Sequence, residues 1–508
     1  MRETANRGPG GNASRAPRRV QKGRQPRRTG ADWFGFVCLC LMAVCSLLLA
    51  VNLITLRMLP AKYLFLALAI LLALNALHAA VQVPVRPRRT GKIVCGILAI
   101  ILSAGMLYGF SASNSVQTAL KTIGASNEEV KTIDVVVLGS SAAQTLSDVQ
   151  GQTFGVLSAM DASTLQKMTD AMSGEIGTVS TASAASPAAL AAGLYAGKWK
   201  AVIVADAYLE SLSEIEGYTD ILGQTRIIYQ YDVTEAAETA SADAVNITKE
   251  PFIVYLSGSD SRSASINATG RSDVNILAAV NPSTHQILLV NTPRDYYVPL
   301  SISGGVRDKL THAGLYGIDC SAATLSMLYG VEIPYYVRLN FTGFENIVNA
   351  LGGVTVHSDY TFTADGYQFT AGDNTLMGAA ALAFVRERYS FTTGDNQRGQ
   401  DQMAMIKAIL NKAMSPAILT NYQSLLTAVA GSFATNFSYD DMAAFVQQQL
   451  SAGSGWNITS YAVTGTGDMT ATYTYPDENL YVMRPDQTTV NKARTLLGQV
   501  LGGEVPQP

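Results

Sequence analysis

Residues 257–295 carry the side chains best suited to chemistry. The stretch opens Ser257-Gly258-Ser259-Asp260-Ser261-Arg262, passes through Gly270-Arg271-Ser272-Asp273 and closes on Thr292-Pro293-Arg294-Asp295. Two apolar runs of strand length, residues 274–280 and 287–290, lie between these groups. Each run delivers an Asp or an Arg at one end, and strand ends are where open α/β sheets bind ligands. Two acids and several arginines gathered at one rim suggest a divalent cation and a phosphate chain. Asp260 and Asp273 are the natural cation ligands. Magnesium is usually held by one or two carboxylates, with waters and substrate phosphates completing its octahedron. The alternative is two local ion pairs, Asp260 with Arg262 and Asp273 with Arg271.

Further along, Phe384-Val385-Arg386-Glu387-Arg388 follows a helical pattern. If the chain is extended there, Arg386 and Arg388 point to one side and Glu387 to the other. Two guanidinia side by side repel each other and persist best facing a shared polyanion, whose oxygens match their planar forks. Gly394-Asp395-Asn396-Gln397-Arg398 then reads as a helix start. Asp395 is placed to cap it, and Arg398 and Gln402 share one face at i, i+4. A helix start that carries an Arg favours anions. Lys309, in Arg307-Asp308-Lys309-Leu310-Thr311-His312, adds a cation.

The elements that must position these groups read as α/β from residue 246 onward. Candidate strands are residues 252–256, 274–280, 287–290, 335–339 and 354–357. Candidate helices are residues 322–328, 342–351, 378–385, 398–412, 421–429 and 439–450. Residues 115–245 read as a smaller α/β unit, closed by a polar, alanine-rich linker at 235–249. Its strands are expected at 134–138, 153–157, 201–204 and 226–229. Its helices are expected at 162–172, 187–196 and 208–215. Strand–helix alternation predicts a mainly parallel sheet. Gly139-Ser140-Ser141 there is either an anion cradle or an ordinary turn, and nothing else in the unit carries a catalytic constellation.

The first 114 residues are of another kind. Residues 1–31 are rich in Arg, Gly and Pro, have no aliphatic periodicity, and are expected to form a disordered basic tail. Three uncharged runs follow within residues 32–114, at 33–56, 63–85 and 93–110, each long enough to span a bilayer. Basic residues concentrate in the tail and in the loop holding Arg86, Arg88, Arg89 and Lys92. This predicts a multi-pass cell-membrane protein with a cytoplasmic N-terminus and everything past about residue 114 outside.

Charge follows the same division. The net −3 combines 15 basic and two acidic residues in positions 1–114 with 21 basic and 37 acidic residues afterwards. A body with that excess of acid is not drawn to nucleic acid without a local basic patch, and no helix-turn-helix is readable. Cys38, Cys40, Cys45 and Cys95 lie in apolar runs and only Cys320 in the body, which excludes a disulfide within it. The four histidines are scattered without ligand spacing. His312, near Lys309, is the one with a conceivable catalytic role.

Taken in order, these motifs, with Asp308-Lys309-Leu310-Thr311-His312-Ala313, Leu351-Gly352-Gly353-Val354-Thr355-Val356 and Gly394-Asp395-Asn396-Gln397-Arg398-Gly399-Gln400-Asp401-Gln402, resemble the LytR–CpsA–Psr family over about residues 250–415. Three membrane helices and an accessory domain ahead of them resemble its capsule-type, CpsA-like architecture. The resemblance implies an α/β/α domain with a central mixed sheet. It also implies a Mg2+-dependent phosphotransferase that moves an anionic glycopolymer, teichoic acid or capsular polysaccharide, from a polyprenyl-pyrophosphate carrier onto peptidoglycan. Asp260 and Asp273 match its metal ligands. Arg271, Arg294, Lys309, Arg386, Arg388, Arg398 and Gln402 match its pyrophosphate-binding groups. Read from the residues themselves, Arg294, Asp295, Arg386 and Arg388 are the candidate catalytic set. One departure removes a cation: many members carry Arg before the Gln, where this chain has Asp401.

The transfer suits such a site, since arginines and a metal can neutralise a diphosphate diester before a hydroxyl attacks it. Asp295 is the candidate general base and could equally orient Arg294. The same residues would serve a polyprenyl-pyrophosphate hydrolase or a non-catalytic lipid or polysaccharide sensor.

Overall fold

The computed structural model describes residues 29–83, 89–125, 128–236, 245–259, 269–392, 394–415, 425, 430–453 and 455–507. The tail expected to be disordered, Arg86 and Arg88, most of the expected helix at 421–429, and Asp260 with Arg262 lie outside the described residues.

Three helices, α1 (Gly30–Leu56), α2 (Ala61–Gln82) and α3 (Arg89–Ala125), are long and apolar enough to cross a membrane. Two compact units emerge. The first holds the described residues up to Val51 together with Phe65–Phe110, and the second holds Asn52–Leu64 and everything from Ser111. Cys38, Met42, Cys45, Ala99 and Met106 form the interior of the first, where Lys92 pairs with Asp32 at 2.6 Å. Apolar side chains such as Phe65 and Leu72 face outward, as a lipid solvent permits.

The hydropathy run ends at Phe110, yet α3 continues for four more turns. No Pro or Gly interrupts residues 111–123, so nothing ends the helix. There it changes character. Val116, Leu120 and Ile123, at i, i+4 and i+7, pack with Leu56 and Met58 against Ala443 of the helix Tyr439–Ala452. Tyr439 Oη donates to the Leu56 carbonyl at 2.8 Å, and Gln447 Nε2 to that of Leu59 at 2.9 Å.

Next comes a five-stranded sheet of β1 (Glu128–Leu138), β2 (Thr153–Leu157), β3 (Ser180–Ala184), β4 (Val202–Ala205) and β5 (Thr225–Ala236), in the order β3-β2-β4-β1-β5. The expected parallel sheet is half right. β2 pairs parallel with β3 and β4, but β1 pairs antiparallel with both β4 and β5. β4 and β5 both run opposite to β1 and flank it, so the connection between them, through the helices Asp206–Leu212 and Ile221–Gln224, crosses over β1. The edge strand β3 is a Ser/Thr/Ala segment without apolar alternation, which is why composition did not mark it. Gly139-Ser140-Ser141 forms an ordinary turn, with Arg226 donating to the carbonyls of Gly139 and Ser141.

The second sheet is mixed, with six strands. In chain order they are β6 (Phe252–Ser259), β7 (Ser272–Asn281), β8 (Gln286–Asn291), β9 (Tyr335–Leu339), β10 (Phe433–Thr435) and β11 (Asn457–Ala462). Across the sheet β10 pairs with β9, then β6, β7, β8 and β11. Period-two alternation divides its side chains between two interiors. Tyr255, Leu277, Ala279, Leu288 and Val290 face one, closed by the helices Ile318–Tyr329 and Gln487–Leu501. Val254, Ile276, Ala278, Ile287 and Leu289 face the other, closed by the helices Asp395–Ala413 and Tyr439–Ala452. Burial on both faces explains why β7 and β8 read as continuous apolar runs.

Candidate active site

β6 and β8 both run antiparallel to β7, so the ends of β6 and β8 meet the start of β7 at one rim. Ser259 pairs with Ser272, and Asn291 with Ile276. A register shift at Gly258/Ser259 bends β6 where it leaves the sheet. Beneath the rim a buried hydroxyl network fixes the start of β7. Tyr255 Oη lies 2.7 Å from both Ser272 Oγ and Asn275 Oδ1, and Ser257 Oγ lies 2.8 Å from Ser272 Oγ.

Arg294 leaves the rim just after β8 and is the hub. Its Nη1 donates to both oxygens of Asp273 at 2.8 Å, its Nη2 to Glu214 Oε1, and its Nε lies 3.6 Å from Asp295. Lys309 ends a short strand paired with Tyr297–Pro299. This brings its Nζ to 2.7 Å from Asp295 and 2.8 Å from Glu214 Oε2. Arg271 donates to Glu214 Oε1 at 2.7 Å, and Thr311 Oγ1 to Asp273 Oδ1 at 3.1 Å. Asp273 is therefore bridged to Arg294 rather than to its sequence neighbour Arg271.

The helix Asp395–Ala413 supplies the second wall. It starts close to β8: a side chain at Gly399 would strike Asn291, with a Cβ only 2.2 Å from its amide nitrogen. Asp273, Arg294, Asp395, Arg398 and Gln402 line one crevice with the turn at Asn291, Thr292 and Pro293. Asp395 does not cap this helix. It is the first helical residue, Gly394 holds the cap position, and the Asp395 carboxylate pairs with Arg398. Gln402 Nε2 donates to the Val385 carbonyl at 3.3 Å.

Arg386 and Arg388 depart from the expected extended pair. The helix Gly378–Arg386 keeps Arg386 as its last residue and Glu387 follows it extended, so the two guanidinia do not alternate along a strand. Arg386 is exposed and stacks over Phe341, 4.6 Å from the ring centre. Arg388 stacks over Tyr389 at 4.8 Å and donates to its hydroxyl.

Burial alone would lift the carboxyls of Asp273 and Glu214. The neighbouring guanidinia, with Lys309 for Glu214, instead hold both below the usual carboxylate range. Burial also works against the charged Lys309, but Asp295 and Glu214 raise it above its ordinary value. Asp395 shifts upward because burial outweighs Arg398. Asp401, at the position where the resemblance leads to an expected Arg, is not among the residues that line the crevice. It is buried, accepts from Gln397 at 3.0 Å, and is pushed up to about 7 by burial. His312 is fully buried beneath the site, its Nδ1 2.7 Å from Asp308, which also accepts from Thr474. It braces the strand that carries Lys309 and does not face the crevice.

Among the described residues no group of three His, Cys, Asp or Glu side chains is assembled as a metal site. Asp273 nonetheless suits one position in a hydrated magnesium shell, because it is ionised and carboxylate oxygens carry several lone pairs. Sequence reasoning missed Glu214. It follows the short helix Asp206–Leu212, which comes after β4 of the five-stranded sheet, in an unremarkable acidic stretch.

The LytR_cpsA_psr family model matches residues 224–494. A relative from Enterococcus faecalis (strain ATCC 700802 / V583), named polyisoprenyl-teichoic acid–peptidoglycan teichoic acid transferase TagU, is 38% identical over 210 residues, covering 41% of this chain and 69% of the relative. A protein of the same name from Bacillus mycoides is 34% identical over 265 residues, 51% and 84% of the two chains. The crystal structure of B. subtilis TagV, 26% identical, covers 51% of this chain and 99% of that one with a TM-score of 0.43.

Proposed function

Because the chain belongs to the LytR–CpsA–Psr family, we propose that it is a membrane-anchored phosphotransferase that moves an anionic glycopolymer from a polyprenyl-pyrophosphate carrier to peptidoglycan. The observation that carries the reading is the meeting of Arg271, Arg294 and Lys309 with the ionised Asp273 at one rim, from separate parts of the chain. Cations fixed in place before the ligand arrives stabilise developing phosphoryl charge without reorganisation.

In this reading an acceptor hydroxyl attacks the phosphorus that bears the glycopolymer. The new P–O bond makes a phosphodiester, the P–O–P bond breaks, and polyprenyl phosphate leaves with the electron pair. Arg294, Arg271 and Lys309 hold the non-bridging oxygens, and Arg398 and Gln402 bind along the opposite wall. Arg386 and Arg388, outside the buried set, meet the more distant part of the donor. Asp295 accepts from Lys309, which supports a positioning role; taking the hydroxyl proton is the other role open to it. Asp273, with Asp260, would hold Mg2+, which neutralises diphosphate charge when bound.

The three apolar helices anchor the domain where a lipid-linked donor resides. The basic tail and second loop support a cytoplasmic N-terminus with the catalytic domain outside.

The full-length protein in detergent, given a lipid-linked teichoic acid or capsule precursor, magnesium and peptidoglycan, is expected to yield phosphodiester-linked product. Equal release of polyprenyl phosphate with and without peptidoglycan would make it a hydrolase. Folded protein that releases nothing from any such precursor would overturn the assignment.

A further inference from the structure

Glu214 lies ahead of residues 224–494, the stretch that the family model matches and that holds the cations it binds. It sits just past the helix Asp206–Leu212, where its amide still donates to the Ser211 carbonyl at 3.2 Å. Both of its oxygens are used: Oε1 takes Arg271 and Arg294, and Oε2 takes Lys309. Among the described residues these three cations face three carboxylates, Glu214, Asp273 and Asp295. Asp273 and Asp295 come from the same strands and turns as the arginines. Glu214 is the added one, and among the described residues it is the carboxylate that contacts all three of these cations.

Its mounting is firm. Leu212 and Ile215, on either side of it, are buried in one apolar cluster with Tyr475 and Leu480 of the catalytic domain. Ser211 hydrogen-bonds Tyr475, and Tyr208 packs edge-on against Tyr316 with ring centres 6.2 Å apart. The backbone is therefore held at the rim, and rotation about the Glu214 side-chain bonds is the motion that can clear the cations.

We propose that Glu214 is a resident anion that occupies the cation cluster until a diphosphate displaces it, and so sets which anions the site accepts. This rests on the reading of the cluster as the diphosphate site. A singly charged anion gains nothing by exchange with a carboxylate that already satisfies three cations. A diphosphate brings more charge and more acceptor oxygens to the same donors, so it wins the exchange.

The test is calorimetric titration of sodium pyrophosphate, and separately inorganic phosphate, into the full-length protein in detergent. Wild type, Glu214→Gln and Arg294→Ala are compared, each checked for folding by circular dichroism. Expected is pyrophosphate binding at least about tenfold tighter in Glu214→Gln than in wild type, with a smaller preference for pyrophosphate over phosphate, and weaker binding in Arg294→Ala. Should Glu214→Gln fail to fold, Glu214→Asp keeps the charge but draws it back by one methylene, and a smaller gain is expected. Unchanged or weaker pyrophosphate binding in the Glu214 variants, with Arg294→Ala impaired, overturns the resident-anion role and leaves the diphosphate site standing. No binding by any variant, or wild-type binding by Arg294→Ala, overturns both.

Discussion

Two sets of cations border this rim, and they are held by opposite means. Arg271, Arg294 and Lys309 have side chains 12%, 9% and 5% exposed, each tied to carboxylates within hydrogen-bond distance. Arg386 and Arg388 lean on the aromatic faces of Phe341 and Tyr389 instead. Breaking a buried ion pair costs about 3–5 kcal/mol, because the partner is left charged and dry. An exposed cation–π contact contributes about 0.5–1 kcal/mol. The buried set is thus fixed by folding, with orientation settled before any ligand arrives. The rim pair is cheap to reorient and can follow a ligand that varies.

That contrast can be broken by substitution. Arg294→Ala is expected to have the largest effect, lowering transfer by about 10²–10³-fold. It should also lower stability by about 3–5 kcal/mol, since Asp273 and Glu214 both lose a partner. Arg294→Lys should rescue little, because a single ammonium cannot reach Asp273 and Glu214 with the same fork. Thermal melts beside a transfer assay would check both.

Lys309→Met comes next. It leaves Asp295 with only the longer Arg294 contact and the second oxygen of Glu214 without its partner, and a loss of about 2–4 kcal/mol is expected in denaturant titrations. Arg386→Ala and Arg388→Ala should raise KM for the lipid-linked donor by about tenfold or less while stability stays within about 0.5 kcal/mol. If either matched Arg294→Ala in kcat, the division into a fixed and an adjustable set would fail.

The smallest effect concerns Asp401. Burial pushes its carboxyl up to about 7, so between about pH 4 and 7 the folded chain retains a proton that the unfolded chain has released. Stability contributed by the protonated form is present below that window and is lost as pH rises through it. Asp401→Asn should therefore melt a few degrees above wild type at about pH 8, with the gap closing toward about pH 4. A pH-independent difference would mean that Asp401 is ionised throughout.

Much of this arrangement was legible in the chain. β7 and β8 could be read within a few residues because both faces are buried, and Arg294, Asp295 and Asp273 follow from lying at strand ends. Other parts were not. Gln487–Leu501 went unread although Asp486 caps it and Val490, Ala493, Leu497 and Val500 mark its buried stripe. Here the signal was present. β11 is identifiable mainly by its parallel pairing with β8, which no local pattern in Asn457–Ala462 announces. The extended reading of Arg386 to Arg388 failed because the apolar packing of Ala383, Phe384 and Val385 keeps the helix going one residue further. Glu214 had no local signal. It sits some 57 to 95 residues ahead of its partners, and only the packing of the helix Asp206–Leu212 against Tyr475 and Leu480 reveals what it touches.

The proposed transfer requires that the diphosphate is cleaved at the buried cluster. The most direct measurement follows phosphodiester-linked glycopolymer on peptidoglycan, made from a lipid-linked precursor by full-length wild type and by folded Arg294→Ala, with magnesium present in both. Wild type should form the product and Arg294→Ala should fall by at least about a hundredfold. Equal rates in the two would mean that the diphosphate is cleaved elsewhere.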